Sequence, residues 1–77
     1  MKKTKQVIGL RKLREQSGLT QAELAEKAGM SQQAVSDYET SRKNPSLAAA
    51  ERIATGLDTT VDMVAKAFRE QREAPTG

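Results

Sequence analysis

The sequence predicts an all-α domain of five short helices, and three observations point there. Apolar residues recur at helical spacing along the whole chain. No segment shows the β-branched alternation of a strand. Polar capping residues stand before apolar periods at Thr20, Ser31, Ser46 and Thr60, which divides the chain into helices too short for anything but a compact bundle.

The first helix is expected over residues 5–16, with Val7, Leu10, Leu13 and Ser17 on one stripe, Gly9 weakening its first turns and Gly18 placed to stop it in a left-handed conformation. The second starts at Gln21. Thr20 with Glu23 three residues into the helix forms a capping box, Leu19 can staple onto Leu24, and Glu23 and Lys27 form a correctly ordered i,i+4 pair. Its apolar face is Leu24, Ala25 and Ala28, and Gly29 ends it. The third helix opens two residues later on Ser31, is stapled by Met30 and Val35, and turns Val35 and Tyr38 inward until about Thr40. After a polar, basic loop over residues 41–44, Pro45 and Ser46 begin a fourth helix with Leu47, Ala50, Ile53, Ala54 and Leu57 on one face. Thr60 caps a fifth, with Val61, Val64, Ala65 and Phe68 on its stripe and an end near Glu73 before Pro75.

Length and composition agree with one such bundle. A chain of 77 residues has no room for a second core, which would need roughly 50 residues of its own. The folded unit is expected over residues 5–73, between a basic, disordered arm at 1–4 and a disordered tail at 74–77. With one Tyr, one Phe and no Trp, the 36% hydrophobic fraction is nearly all aliphatic. Cysteine and histidine are absent, which removes disulfides, thiol nucleophiles, imidazole bases and ordinary structural zinc. No cofactor-binding or metal-ligating set is recognisable, and the sequence argues against an enzyme. No apolar run approaches the roughly 18 residues of a membrane span or forms a signal-peptide core, so a cytoplasmic protein is expected.

The net charge of +3 is unevenly distributed. Residues 1–14 carry six bases and no acid, whereas residues 15–77 carry seven bases and ten acids. A basic end suits a polyanion and equally suits a solubilising tail, so charge alone decides nothing.

The spacing of the second and third helices is more informative. Two short helices joined by a glycine-containing turn, the second capped by serine, form a helix-turn-helix whose second helix can enter a DNA major groove. Ala25 lies where the helices cross, Gly29 permits the turn, and Leu24, Val35 and Tyr38 fill the junction. Gln32 and Gln33 then occupy the first turn of the recognition helix, where glutamine can pair with adenine N6 and N7. Ser36 and Asp37 follow one turn later. Asp37 either accepts from cytosine N4 or turns away to solvent or to a base of the protein. Gln21 at the start of the second helix, together with Thr40, Arg42, Lys43 and Asn44 after the recognition helix, are the candidate phosphate contacts.

The segment QAELAEKAGMSQQAVSDYE resembles the helix-turn-helix of the Cro and lambdoid phage repressor, or XRE, family. The flanking LRKLREQSGLTQ, RKNPSL and VDMV fit the same pattern, so the resemblance extends from about Leu10 to Val64. It implies a lambda repressor-like fold, base contacts from Gln32 and Gln33, and backbone contacts from Gln21 and the loop at 42–44. It also implies a partly buried ion pair between Arg14 and Glu39. Two places depart from the pattern: Ser41 stands where Gly or Asn is usual, and Gly56, Leu57 and Asp58 replace an Ala-Leu-Gly ending.

By the same resemblance the partner is a double-stranded DNA operator, bound by a homodimer that acts as a repressor. Candidate dimer contacts are Met63, Val64 and Phe68, because helix 5 runs past its core-facing residues; alternatively Phe68 folds back onto Val7 and Leu10. A rival reading on the same fold is an antitoxin or other protein-binding module with a partner such as a toxin.

Overall fold

The computed structural model describes residues 9–73. It contains α1 (Leu10–Gln16), α2 (Gln21–Ala28), α3 (Gln32–Glu39), α4 (Leu47–Leu57) and α5 (Val61–Glu73). No strand occurs among the described residues.

The helix starts follow the capping chemistry legible in the sequence. The Thr20 hydroxyl accepts from the Glu23 amide at 3.1 Å, and the Glu23 carboxylate accepts from the Thr20 amide at 2.8 Å. Ser31, Ser46 and Thr60 each accept from the amide three residues on, at 3.1 Å. These caps satisfy amides that helix geometry leaves unpaired, at about 1 kcal/mol each. The start of α1 differs from expectation. Gly9 is extended (φ −88°, ψ −175°) and serves as the N-cap, so the helix opens at Leu10. Gly9 has no side chain to cap with, and the Leu10 amide is satisfied from across the molecule by Gln71 Oε1 at 2.9 Å. Residues 5–8 and Val7, which the periodicity places in this helix, lie outside the described residues, as do the arm at 1–4 and the tail at 74–77.

The helix stops divide into two kinds. Gly18 and Gly29 take left-handed φ values of 75° and 70°, which glycine adopts without a Cβ penalty. Ser41 and Asp58 take similar values, 62° and 58°, and each costs about 1 kcal/mol. Backbone bonds offset that cost. The Arg42 amide donates to the Asp37 carbonyl and the Thr59 amide to the Ala54 carbonyl, both at 2.9 Å, closing each helix as a glycine would.

Each helix places one fully buried side chain in the core: Leu10, Leu24, Val35, Ile53 and Val64. Burying aliphatic side chains of this size is worth roughly 1.5 to 3 kcal/mol apiece. Small residues let α2 and α4 approach. A Cβ on Gly56 would stand 2.9 Å from Leu24 Cδ1 and 3.4 Å from the Ala28 nitrogen, so a larger residue there would have to displace the Leu24 side chain.

Two expectations about apolar residues are corrected. Leu47, assigned to the inward face of α4, is 69% exposed at the first position of that helix, one turn before its first buried residue, Ala50. Val64 and Phe68, assigned to a dimer contact, are buried at 0% and 6% exposure. The Phe68 ring meets Tyr38 edge-on, with centroids 6.0 Å apart and planes at 85°. A single chain therefore covers that ring, and α3 supplies the cover in addition to whatever α1 contributes. Met63 alone of the three is exposed, at 42%.

Candidate nucleic-acid interface

The turn between α2 and α3 is built by Gly29, after which the Met30 amide reaches back to the Ala25 carbonyl at 2.9 Å. Ala25 and Val35 are buried, and Tyr38 is half-buried against the same core. These contacts fix the roll of α3, turning its first turn outward. Gln32 and Gln33 are exposed there, and Ser36 is half-exposed one turn later.

The later part of α3 is held. Glu39 accepts from Arg14 through both carboxylate oxygens, Nε to Oε2 in a tight ion pair and Nη2 to Oε1 at 3.4 Å. Arg14 Nη1 also donates to the Leu19 carbonyl at 2.8 Å. The two side chains are 12% and 4% exposed, so the pair ties α1 to α3 in a low-dielectric setting. Hydrogen bonding to Glu39 raises the Arg14 pKa above its already alkaline ordinary value, against the opposing effect of burial. The ion pair implied by the family resemblance is thus present.

Gln21 is half-buried and bridges this pair to the exposed turn. Its Nε2 donates to Glu39 Oε1 at 3.0 Å, and its Oε1 receives a long, 3.5 Å contact from Gln32 Nε2. Arg42, Lys43 and Asn44 are exposed in the loop after α3. Thr40 is also exposed, but its hydroxyl donates to the Ser36 carbonyl at 3.0 Å, closing the helix end.

Asp37 requires a correction. It does not lie on the exposed face with Ser36 but is 9% exposed. The loop folds over it: the Arg42 and Lys43 amides both donate to its carbonyl, and Lys43 Nζ stands 3.8 Å from its Oδ2. Gln33 Nε2 donates to its other oxygen at 3.0 Å. Gln33 thus donates to one oxygen and Lys43 stands beside the other, which is the alternative of an Asp37 turned to a base of the protein.

Sequence reasoning missed Gln71. Its Oε1 accepts from the Leu10 amide at 2.9 Å, while its Nε2 donates to the Tyr38 carbonyl at 2.6 Å and to Ser41 Oγ at 2.9 Å. One side chain of α5 thereby joins the start of α1 to the end of α3. Its partners lie 30 to 61 residues away in the chain, so no local pattern could have signalled it.

The assembly presents a protruding helix turn with two amides, on a frame that fixes its angle. No helix among the described residues is long and apolar enough to cross a membrane. No curated protein and no solved structure matches the chain. A family model for the helix-turn-helix matches residues 10–64, taking in the start of α1, the whole motif, the basic loop, α4 and the start of α5. With well over half of the chain matched, and with the motif geometry in place, the protein belongs to the XRE-type helix-turn-helix family of DNA-binding transcription regulators.

Proposed function

We propose that the protein is a repressor that reads a palindromic operator as a homodimer. Gln32 and Gln33 enter the major groove, Ser36 stands beside them, and Gln21, Thr40, Arg42, Lys43 and Asn44 lie along the flanking phosphates. The observation that carries this reading is the exposure of the first turn of α3 beside an exposed basic loop, on a helix otherwise held by α1 and α5. Residues 19–46 carry three bases and four acids. One copy therefore gains little from phosphate attraction, and pairing two copies on one duplex compensates.

The exposed apolar surface favours association. A groove of about 310 Å³ runs between the start of α4 and α5, floored in part by Leu47, Val61 and Ala65, and Met63 is exposed elsewhere on α5. With Val64 and Phe68 buried, Met63 remains as a dimer contact and Leu47 joins it. The same groove supports the second reading, a protein-binding module whose partner, such as a toxin, occupies it.

Selection of bound sequences from a random duplex pool tests the proposal. A symmetric site with half-sites about one helical turn apart is expected. Binding should weaken steeply with salt, and Arg42→Ala or Lys43→Ala should lower affinity for all sequences and reduce the salt slope by about one. Sedimentation of Leu47→Ser should show a weaker dimer. An asymmetric site bound by one copy would remove the homodimer from the proposal.

A further inference from the structure

The Gln33–Asp37 contact restricts what Gln33 can read. A glutamine amide has an oxygen that accepts and a nitrogen that donates, and an unrestrained side chain presents either order by turning half a revolution. Gln33 is restrained. Its Nε2 lies 3.0 Å from Asp37 Oδ1, and a carboxylate offers only acceptors, so reversing the amide would set oxygen against oxygen. Asp37 is itself held, 9% exposed, with Lys43 Nζ 3.8 Å from its second oxygen and the loop amides of Arg42 and Lys43 on its carbonyl. The i,i+4 spacing along α3 brings the two side chains together on one side of the helix.

We infer that Asp37 is a positioning residue that fixes the polarity of the Gln33 amide, so that the operator base read by Gln33 is adenine. The inference rests on the proposal that the first turn of α3 enters the major groove. One N–H of Gln33 is committed to Asp37, and when that is the hydrogen remote from Oε1, the oxygen and the second N–H form a neighbouring acceptor and donor. Adenine presents the complement, an N6 donor beside the N7 acceptor, and satisfies both. Guanine presents two acceptors, N7 and O6, so one faces the amide oxygen unless the bond to Asp37 breaks. Cytosine offers N4 alone, and thymine offers O4 and a methyl group. Asp37 thus sets sequence preference without touching a base.

The experiment compares wild type, Gln33→Ala and Asp37→Asn on duplexes chosen by selection. The base pair whose preference disappears in Gln33→Ala is the one Gln33 reads. In wild type it should carry adenine, and replacing it by guanine should lower affinity about tenfold. Asp37→Asn can offer Gln33 either an oxygen or an amino group, so the adenine-to-guanine ratio should fall to within about threefold. A purely structural role for Asp37 would weaken both duplexes and leave the ratio intact. A further arm uses only the unaltered protein: a duplex with purine, which lacks the 6-amino group, in place of that adenine should also bind about tenfold more weakly. Guanine selected at that pair, an unchanged ratio in folded Asp37→Asn, or indifference to the missing amino group would each overturn the inference. Failure of wild type to prefer any duplex over random DNA would overturn the DNA reading, and this inference with it.

Discussion

The two ends of α3 are built by opposite rules. Its last turn is enclosed by donors and acceptors from other helices: Arg14 and Gln21 on Glu39, Gln71 on the Tyr38 carbonyl, and the Phe68 ring against Tyr38. Its first turn is fixed by Ser31 and exposes Gln32 and Gln33, which touch the frame only through Gln21 and Asp37. Stability and recognition are therefore separated along one helix two turns long. The closed end sets the angle at which the open end projects, and the open end can change without disturbing the fold. Asp37 sits at the boundary, reached by the loop from one side and by Gln33 from the other.

The most damaging way to test this division is Arg14→Ala. It leaves the Glu39 carboxylate, whose side chain is 4% exposed, without its cation. Gln21 remains as a neutral donor, so the loss should be about 3 kcal/mol, the lower part of the range for breaking a buried pair. Urea unfolding at neutral pH measures it, and a loss below about 1 kcal/mol would show that the closed end is not held by this pair. The sign with pH follows from the raised pKa of Arg14. Its contribution is fully present below the ordinary arginine value and is lost only as pH rises through the still higher folded value. Titration of Arg14 should therefore produce no weakening anywhere in the usual working range.

Gln71→Ala comes next, at about 1.5 kcal/mol, because it strands the Leu10 amide and leaves the Tyr38 carbonyl with only the Ser41 amide, at 3.3 Å. Stability alone would not distinguish this from a general loosening. Amide exchange would: the Leu10 amide should exchange much faster, whereas the Leu24 amide, bonded to the Thr20 carbonyl at 2.9 Å, should follow only the global change. Equal acceleration at both would mean that Gln71 does not act as a local clamp.

The same division explains what was legible in the sequence. Every cap at Thr20, Ser31, Ser46 and Thr60 is a contact over three residues, and each is where its residue type indicates. Each aliphatic stripe contains the fully buried residue of its helix, although Leu47 and Ala65 on two of those stripes are exposed. What local pattern cannot carry is the outcome of competition between distant partners. Phe68 has the spacing of a core residue and the position of an overhang, and only the placement of Tyr38 thirty residues earlier decides between them. Asp37 lies at a groove-facing position by helical arithmetic, but the left-handed turn at Ser41 brings the loop back across it. The importance of Gly56 shows only once α2 lies against it. At the interface, Gln32 and Gln33 could be assigned from their place after the Ser31 cap, whereas the direction of the Gln33 amide needed its neighbours.

The smallest expected effect on stability is the sharpest test of the open end. Gln33→Ala removes an exposed side chain whose one bond here goes to Asp37. The carboxylate keeps Lys43 nearby, and alanine has the higher helix propensity. The two effects oppose each other, so unfolding free energy should change by less than about 0.5 kcal/mol. Binding should respond differently, with cognate DNA losing roughly 1 to 3 kcal/mol and random DNA almost nothing. Calorimetry and a binding titration on the same preparation give both numbers. A large fall in stability would place Gln33 in the frame with Arg14 and Gln71, and equal losses on cognate and random DNA would make it a phosphate contact. Stable folding with selective loss of the cognate site is the result that two independent ends of one helix require.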